Sequence, residues 1–149
     1  MLFKRLSRDL PEQVFVVVEN NEGATIVKDQ TVQMDHTTEV DGIKSRDMDT
    51  GALYCFQGLA DAAIADGGFG LVQVHGYRST SKVFQTDTSL AAGAPLVPVA
   101  AQEYLQTVAS TIASNAAVTL QPVYAALLES VASAAASATV SAKVFIRAL

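Results

Sequence analysis

The clearest alternation of apolar and polar positions runs through Gly67–Pro98. Phe69, Leu71, Gln73 and His75 share one parity, while Val72 and Val74 share the other. Period two between glycines predicts a half-buried strand next to tight turns. Gly67-Gly68 predicts the opening turn, and Gly76 predicts the point where the strand breaks. Val83 and Phe84 begin a second piece, Ala92-Gly93 marks another stop, and Pro95–Pro98 is a short apolar closing segment. Together these elements predict the central hairpin region of a small β-barrel.

Upstream, Val14–Glu19 is rich in β-branched and aromatic residues and predicts a strong strand. Asn20–Gly23 is a turn suited to positive φ, Thr25–Val27 predicts a return strand, and Thr31–Met34 a short third piece. The polar stretch Asp35–Thr50 reads as a surface excursion, with Asp41-Gly42 as a tight turn. Leu53–Phe56 predicts a strand, and Gly58–Asp66 a short helical or 3-10 turn stopped by Gly67.

Downstream, Ala101, Leu105, Val108 and Ile112 keep roughly helical spacing, so Val99–Ile112 predicts an amphipathic helix, with a β-rich loop as the alternative. Pro122 can open a second helix that runs to about Ala138, with Tyr124, Leu127, Leu128 and Val131 as its stripe. Val140–Leu149 predicts a closing strand with Val140, Ala142, Val144 and Ile146 on one face. The expectation is a mainly β chain: a small single-domain β-barrel or β-sandwich with one or two short helices. Residues 1–12 form an N-terminal arm stopped at Pro11. Residues 13–149 form one β-rich domain with Ala/Ser-rich insertions near 103–119 and 132–139.

Bulk properties narrow the function. The chain has 149 residues, 50% of them hydrophobic, and a formal net charge of −5. One domain with a real core is the expectation at this length. An acidic balance argues against nucleic acid as a partner, which requires a basic face. From Ala91 onward the charged residues are Glu103, Glu129, Lys143 and Arg147, which cancel. So uncharged a C-terminal half requires deep burial or a partner surface. Met1–Glu12 lacks the apolar core of a signal peptide. Ala116–Ala138 is too rich in alanine, serine and interruptions to predict a membrane span. A soluble protein without a membrane partner is expected.

The candidate chemistry is sparse. Asp35, His36, Glu39 and Asp41, with His75, make up the one cluster of metal-ligand type, and its spacing matches no ligand motif. His75 reads better as a structural histidine, and Cys55, flanked by Tyr54 and Phe56, as a small apolar residue. Ser79–Ser81, Ser130 and Ser133 have no glycine elbow and no arranged base. Gly67–Gly70 resembles a phosphate loop in composition, yet it precedes a strand rather than a helix. Asp61 and Asp66 sit on a short turn. Lys28 and Lys82 lack the framing of a modified hairpin-tip lysine. No enzyme, cofactor or metal is expected. A head- or surface-displayed ligand- or glycan-binding barrel is the alternative, and the absence of tryptophan weakens it.

Several of these segments resemble the decoration (cement) proteins of tailed-phage capsids. Gly67–Gly76 is similar to their glycine-aromatic-glycine turn followed by a V-Q-V-x-G strand. Ala91–Leu96 is like the A-A-G-x-x-L turn that comes next. Ala126–Ser130 and Lys143–Ile146 are similar to their ending. The resemblance implies a non-enzymatic virion component on the capsid exterior, made in the host cytoplasm. Its partners would be the major capsid protein and itself, as a homotrimer, and it would stabilise contacts between capsomers. Leu2, Phe3, Lys4 and Arg5 would then be arm contacts to the shell.

Overall fold

The computed structural model describes residues 12–37, 42–48, 53–85, 89–107, 123–132 and 138–148. The strands, in chain order, are β1 (Gln13–Asn20), β2 (Thr31–Met34), β3 (Lys44–Asp47), β4 (Phe56–Ala60), β5 (Phe69–Arg78) and β6 (Lys82–Gln85). They continue with β7 (Ser89–Leu90), β8 (Pro95–Pro98), β9 (Leu105–Thr107), β10 (Ala125–Leu127), β11 (Val131–Ala132), β12 (Ala138–Ser141) and β13 (Val144–Arg147). Among the described residues the helical content is one 3-10 turn, Leu53–Cys55.

The fold is a closed five-strand barrel with a sheet extending from it. The barrel order is β1-β3-β2-β4-β5, and β5 closes it by pairing antiparallel with β1. A long strand makes this possible: β5 gives one edge to β1, from Phe69 to Gly76. Its other edge pairs with β4 at Val72 and Gln73, then with β13 from His75 to Arg78. From β13 the sheet continues as β10-β8-β9-β6-β12. β7 and β11 form a separate two-stranded ribbon.

Each body has its own core. Val18, Ile26, Val32, Ala60, Ile64, Val72 and Val74 fill the barrel interior. Met48, Phe56, Leu59, Val83, Leu90, Leu96, Leu105, Ala125, Leu127, Ala142, Val144 and Ile146 form the second core. Each fully buried aliphatic side chain contributes about 1.5–3 kcal/mol, so both bodies stand on real burial. Ala148 packs against both cores, and the adjacent β4 residues Leu59 and Ala60 enter the second core and the barrel core respectively, which ties the two bodies together.

The alternation of β5 is as the sequence predicts: Val72 and Val74 lie in the barrel core, and Phe69 and Leu71 lie outside. Gly76, however, does not end the strand. It bends it at φ 99, and pairing continues to Arg78. A Cβ there would clash with the Glu12 carbonyl, so only glycine allows the bend.

Several expectations are corrected. Asp35–Thr50 is not a simple surface excursion. Lys44–Asp47 forms β3, parallel to β1 and antiparallel to β2, and Met48 enters the second core. Thr25–Val27 makes an isolated bridge, Ile26 to Ile64, rather than a return strand. Leu53–Cys55 is the 3-10 turn, whereas the strand begins at Phe56 and runs through Gly58 to Ala60 in place of a helical turn. The helices expected over Val99–Ile112 and after Pro122 give way to β9, β10 and β11 in their described parts. There, cross-strand partners outweigh intrinsic preference: Ala125 sits between Ile146 and Leu96 at zero exposure. The closing segment is two strands, β12 and β13, separated at Ala142-Lys143. Its buried face is nonetheless the predicted one, with Ala142, Val144 and Ile146 inside. Residues 1–11 of the arm and much of both Ala/Ser-rich insertions lie outside the described residues.

Candidate functional site

Several described members of the constellations singled out in the sequence have a structural use. Asp35 accepts hydrogen bonds from Asn21 Nδ2 at 2.8 Å and from Thr37 N at 2.9 Å, which fixes a turn. Glu39 and Asp41 lie outside the described residues, and His75 is not brought to Asp35. Among the described residues no group of three potential ligands is assembled. His75 stacks edge-on against Phe145 at 5.2 Å between ring centres. Ser81 is buried, and Ser130 Oγ accepts from Ala92 N at 3.1 Å. Ser133 lies outside the described residues, as do Leu2, Phe3, Lys4 and Arg5. Lys82 pairs with Glu103 at 2.9 Å. Cys55 is half-buried, and that burial pushes its thiol above the usual range.

Sequence reasoning passed over the main polar feature, the side chain of Arg78. It is 4% exposed and sits where β5 leaves the barrel for the second sheet. Its Nε and Nη2 both donate to Asp29 Oδ1, at 2.9 and 2.5 Å. Nη2 also reaches Ala60 O at 2.7 Å, and Nε reaches Thr80 O at 3.0 Å. Nη1 donates to Gln73 Oε1 at 3.2 Å and to Asp61 Oδ1 at 3.5 Å. Gln73 in turn donates to Tyr77 O at 2.9 Å. A guanidinium with every edge occupied is a clamp, not a reagent. No short motif advertises it, because its acceptors come from four separate segments.

No known protein-family model matches the chain, and no curated protein matches it.

Among the described residues, an exposed apolar face lies on the barrel wall. On this side Val17 of β1 stands opposite Leu71 of β5 and Glu19 opposite Phe69, while Phe15 faces the buried Gln73. Val17 is 61% exposed, Leu71 45% and Phe69 67%, while Phe15 is half-buried. Their neighbours of opposite parity, Val16, Val18 and Val72, belong to the barrel packing. The exposure is therefore fixed by register: a one-residue slip would exchange the two sets. The alternation of β5 in the sequence already held half of this face. Its other half, on β1, needed the register.

Proposed function

We propose that the protein is a non-enzymatic structural component, a decoration protein that binds the outer surface of a phage capsid shell and stabilises contacts between capsomers. The observation that carries this reading is the Phe69–Leu71–Val17 face, an apolar surface held on a closed, fully packed barrel. Contiguous apolar surface on a rigid body suits protein–protein association. The Arg78 clamp supports it too, since this buried polar network ties the Asp29 turn and β4 to the far end of β5 instead of holding a reagent. The filled barrel interior counts against the rival ligand-binding reading, because Val18, Val32, Ala60 and Val72 are at zero exposure and occupy the space a ligand would take. In this role the protein acts as a homotrimer on the virion exterior, with the major capsid protein as partner. Leu2, Phe3, Lys4 and Arg5 would add contacts to the shell.

The test is co-sedimentation of the purified protein with undecorated heads of the phage whose genome carries the sequence. Saturable binding, together with a higher temperature of DNA release from the heads, is expected. Absence of binding at every protein concentration would overturn the reading. Removing residues 1–8 should weaken binding, and unchanged binding would remove the arm from the interface.

A further inference from the structure

The charges around the apolar face say what kind of surface it fits. Glu19 stands directly across from Phe69, with Lys44 of β3 as its neighbour on the far side. Asp61 borders Leu71, whose carbonyl accepts the Asp61 N–H at 2.9 Å. Asp66 is exposed in the turn before Phe69, its Oδ1 accepting from Gly23 N at 2.9 Å. Exposed Glu12 precedes β1 at the opposite end, where His75 and Arg147 of β13 also lie. Among the described residues, four cations elsewhere are committed within the chain. Arg46 pairs with Glu22 at 3.3 Å, Lys82 with Glu103 and Lys143 with Glu129, both at 2.9 Å. Arg78 is held by Asp29 and Asp61. Among the described residues Glu12 and Glu19 form no ion pair. Among the described residues, the carboxylates of Glu12, Glu19, Asp61 and Asp66 thus outnumber the cations Lys44 and Arg147 around the apolar face.

We infer that the outer face of β1 and β5 is the docking surface, and that its partner is a protein surface with an apolar centre bordered by lysine or arginine. The inference rests on the shell-binding reading and assigns that contact to the capsid protein. A second copy is a poor occupant, since face-to-face pairing about a two-fold axis sets one acidic rim (Glu19, Asp61, Asp66) against the same acidic rim. Nucleic acid and anionic lipid are repelled for the same reason. Val17, Leu71 and Phe69 supply the desolvated centre, and the carboxylates supply steering and register.

The experiment compares the native chain with Val17→Ser/Leu71→Ser, Glu12→Lys/Glu19→Lys and the control Val123→Ser/Leu128→Ser in co-sedimentation with undecorated heads. All the substituted residues are exposed or at the rim, and unchanged thermal melting confirms intact folding. The first two variants are expected to bind at least about tenfold more weakly, and the control to bind like the native chain. Native binding should weaken between about 0.05 and about 0.5 M sodium chloride, and Glu12→Lys/Glu19→Lys should lose most of that dependence. If the native chain binds heads and both variants bind equally well, this surface assignment alone is overturned. If the native chain does not bind heads, the shell-binding reading falls and takes the assignment with it. Light scattering closes the remaining case: a dimer that Val17→Ser/Leu71→Ser dissociates would make this a self-interface and overturn the basic-partner assignment.

Discussion

Arg78 grips Asp29 with two guanidinium nitrogens, and Asp29 is held for it in the left-handed backbone region, at φ 65. A non-glycine residue tolerates that conformation where the surroundings over-determine it. Here the Asp29 N–H is bound to Ala60 O at 3.0 Å, and the same carbonyl accepts from Arg78. One turn of the barrel and the far end of β5 are therefore locked by a single side chain.

Replacing Arg78 with Met is expected to destabilise the fold by about 3–5 kcal/mol, because it strands buried acceptors without a cation. Arg78→Lys should recover only part of this, since an ammonium cannot serve both edges of the fork. Urea unfolding measures both. A loss below about 1 kcal/mol for Arg78→Met would show the clamp to be dispensable.

Gly76→Ala should be far more costly than Gly93→Ala. Both glycines have positive φ, 99 and 87. At Gly93 the space for a Cβ is open, so the cost is about 1–2 kcal/mol of backbone strain. At Gly76 the added carbon meets the Glu12 carbonyl and the start of β1, which forces the barrel-closing strands apart. Equal melting temperatures for the two variants would contradict this account of the bend.

Gln33 offers the opposite experiment. Its amide is fully buried on β2, and neither Nε2 nor Oε1 has a hydrogen-bond partner among the described residues. Gln33→Met keeps the length and removes the unsatisfied groups, so stability should rise by about 1 kcal/mol. A loss of similar size would mean that the amide is satisfied in solution.

The Glu129–Lys143 pair gives a pH signature. Lys143 donates from both its side chain and its backbone N–H, which holds the Glu129 carboxyl below its ordinary range. A depressed carboxyl contributes stability above its unfolded pKa and loses it as pH falls through the folded value. Glu129→Gln should therefore melt slightly below the native chain near about pH 7, and the difference should shrink as the pH falls through the acid range. The pair is exposed, so about 0.5 M salt should shrink the difference. A difference that persists in acid would point to a cause other than ionisation.

How much of this was legible varies by segment. The faces of β5 and of the closing strands could be read directly, because alternation is a local property of extended backbone. β3 could not: Lys44-Ser45-Arg46-Asp47 carries no apolar signal, and its strand identity comes from lying between β1 and β2. The exposed apolar face was half visible in Phe69 and Leu71, whereas Val17 and Glu19 joined it through a register that no local pattern encodes.

The sequence by itself determined a mainly β chain with one acidic half, and it determined which side chains of each strong strand share a side. The tertiary structure decided that Ala125–Leu127 is strand and not helix, that β5 bends at Gly76 instead of stopping, and that Arg78 finds Asp29, Ala60, Asp61, Gln73 and Thr80. The division follows from range. Side-chain alternation is fixed by neighbouring dihedrals, but strand pairing and buried-charge satisfaction depend on residues distant in sequence, whose contacts exist only once the chain has closed on itself.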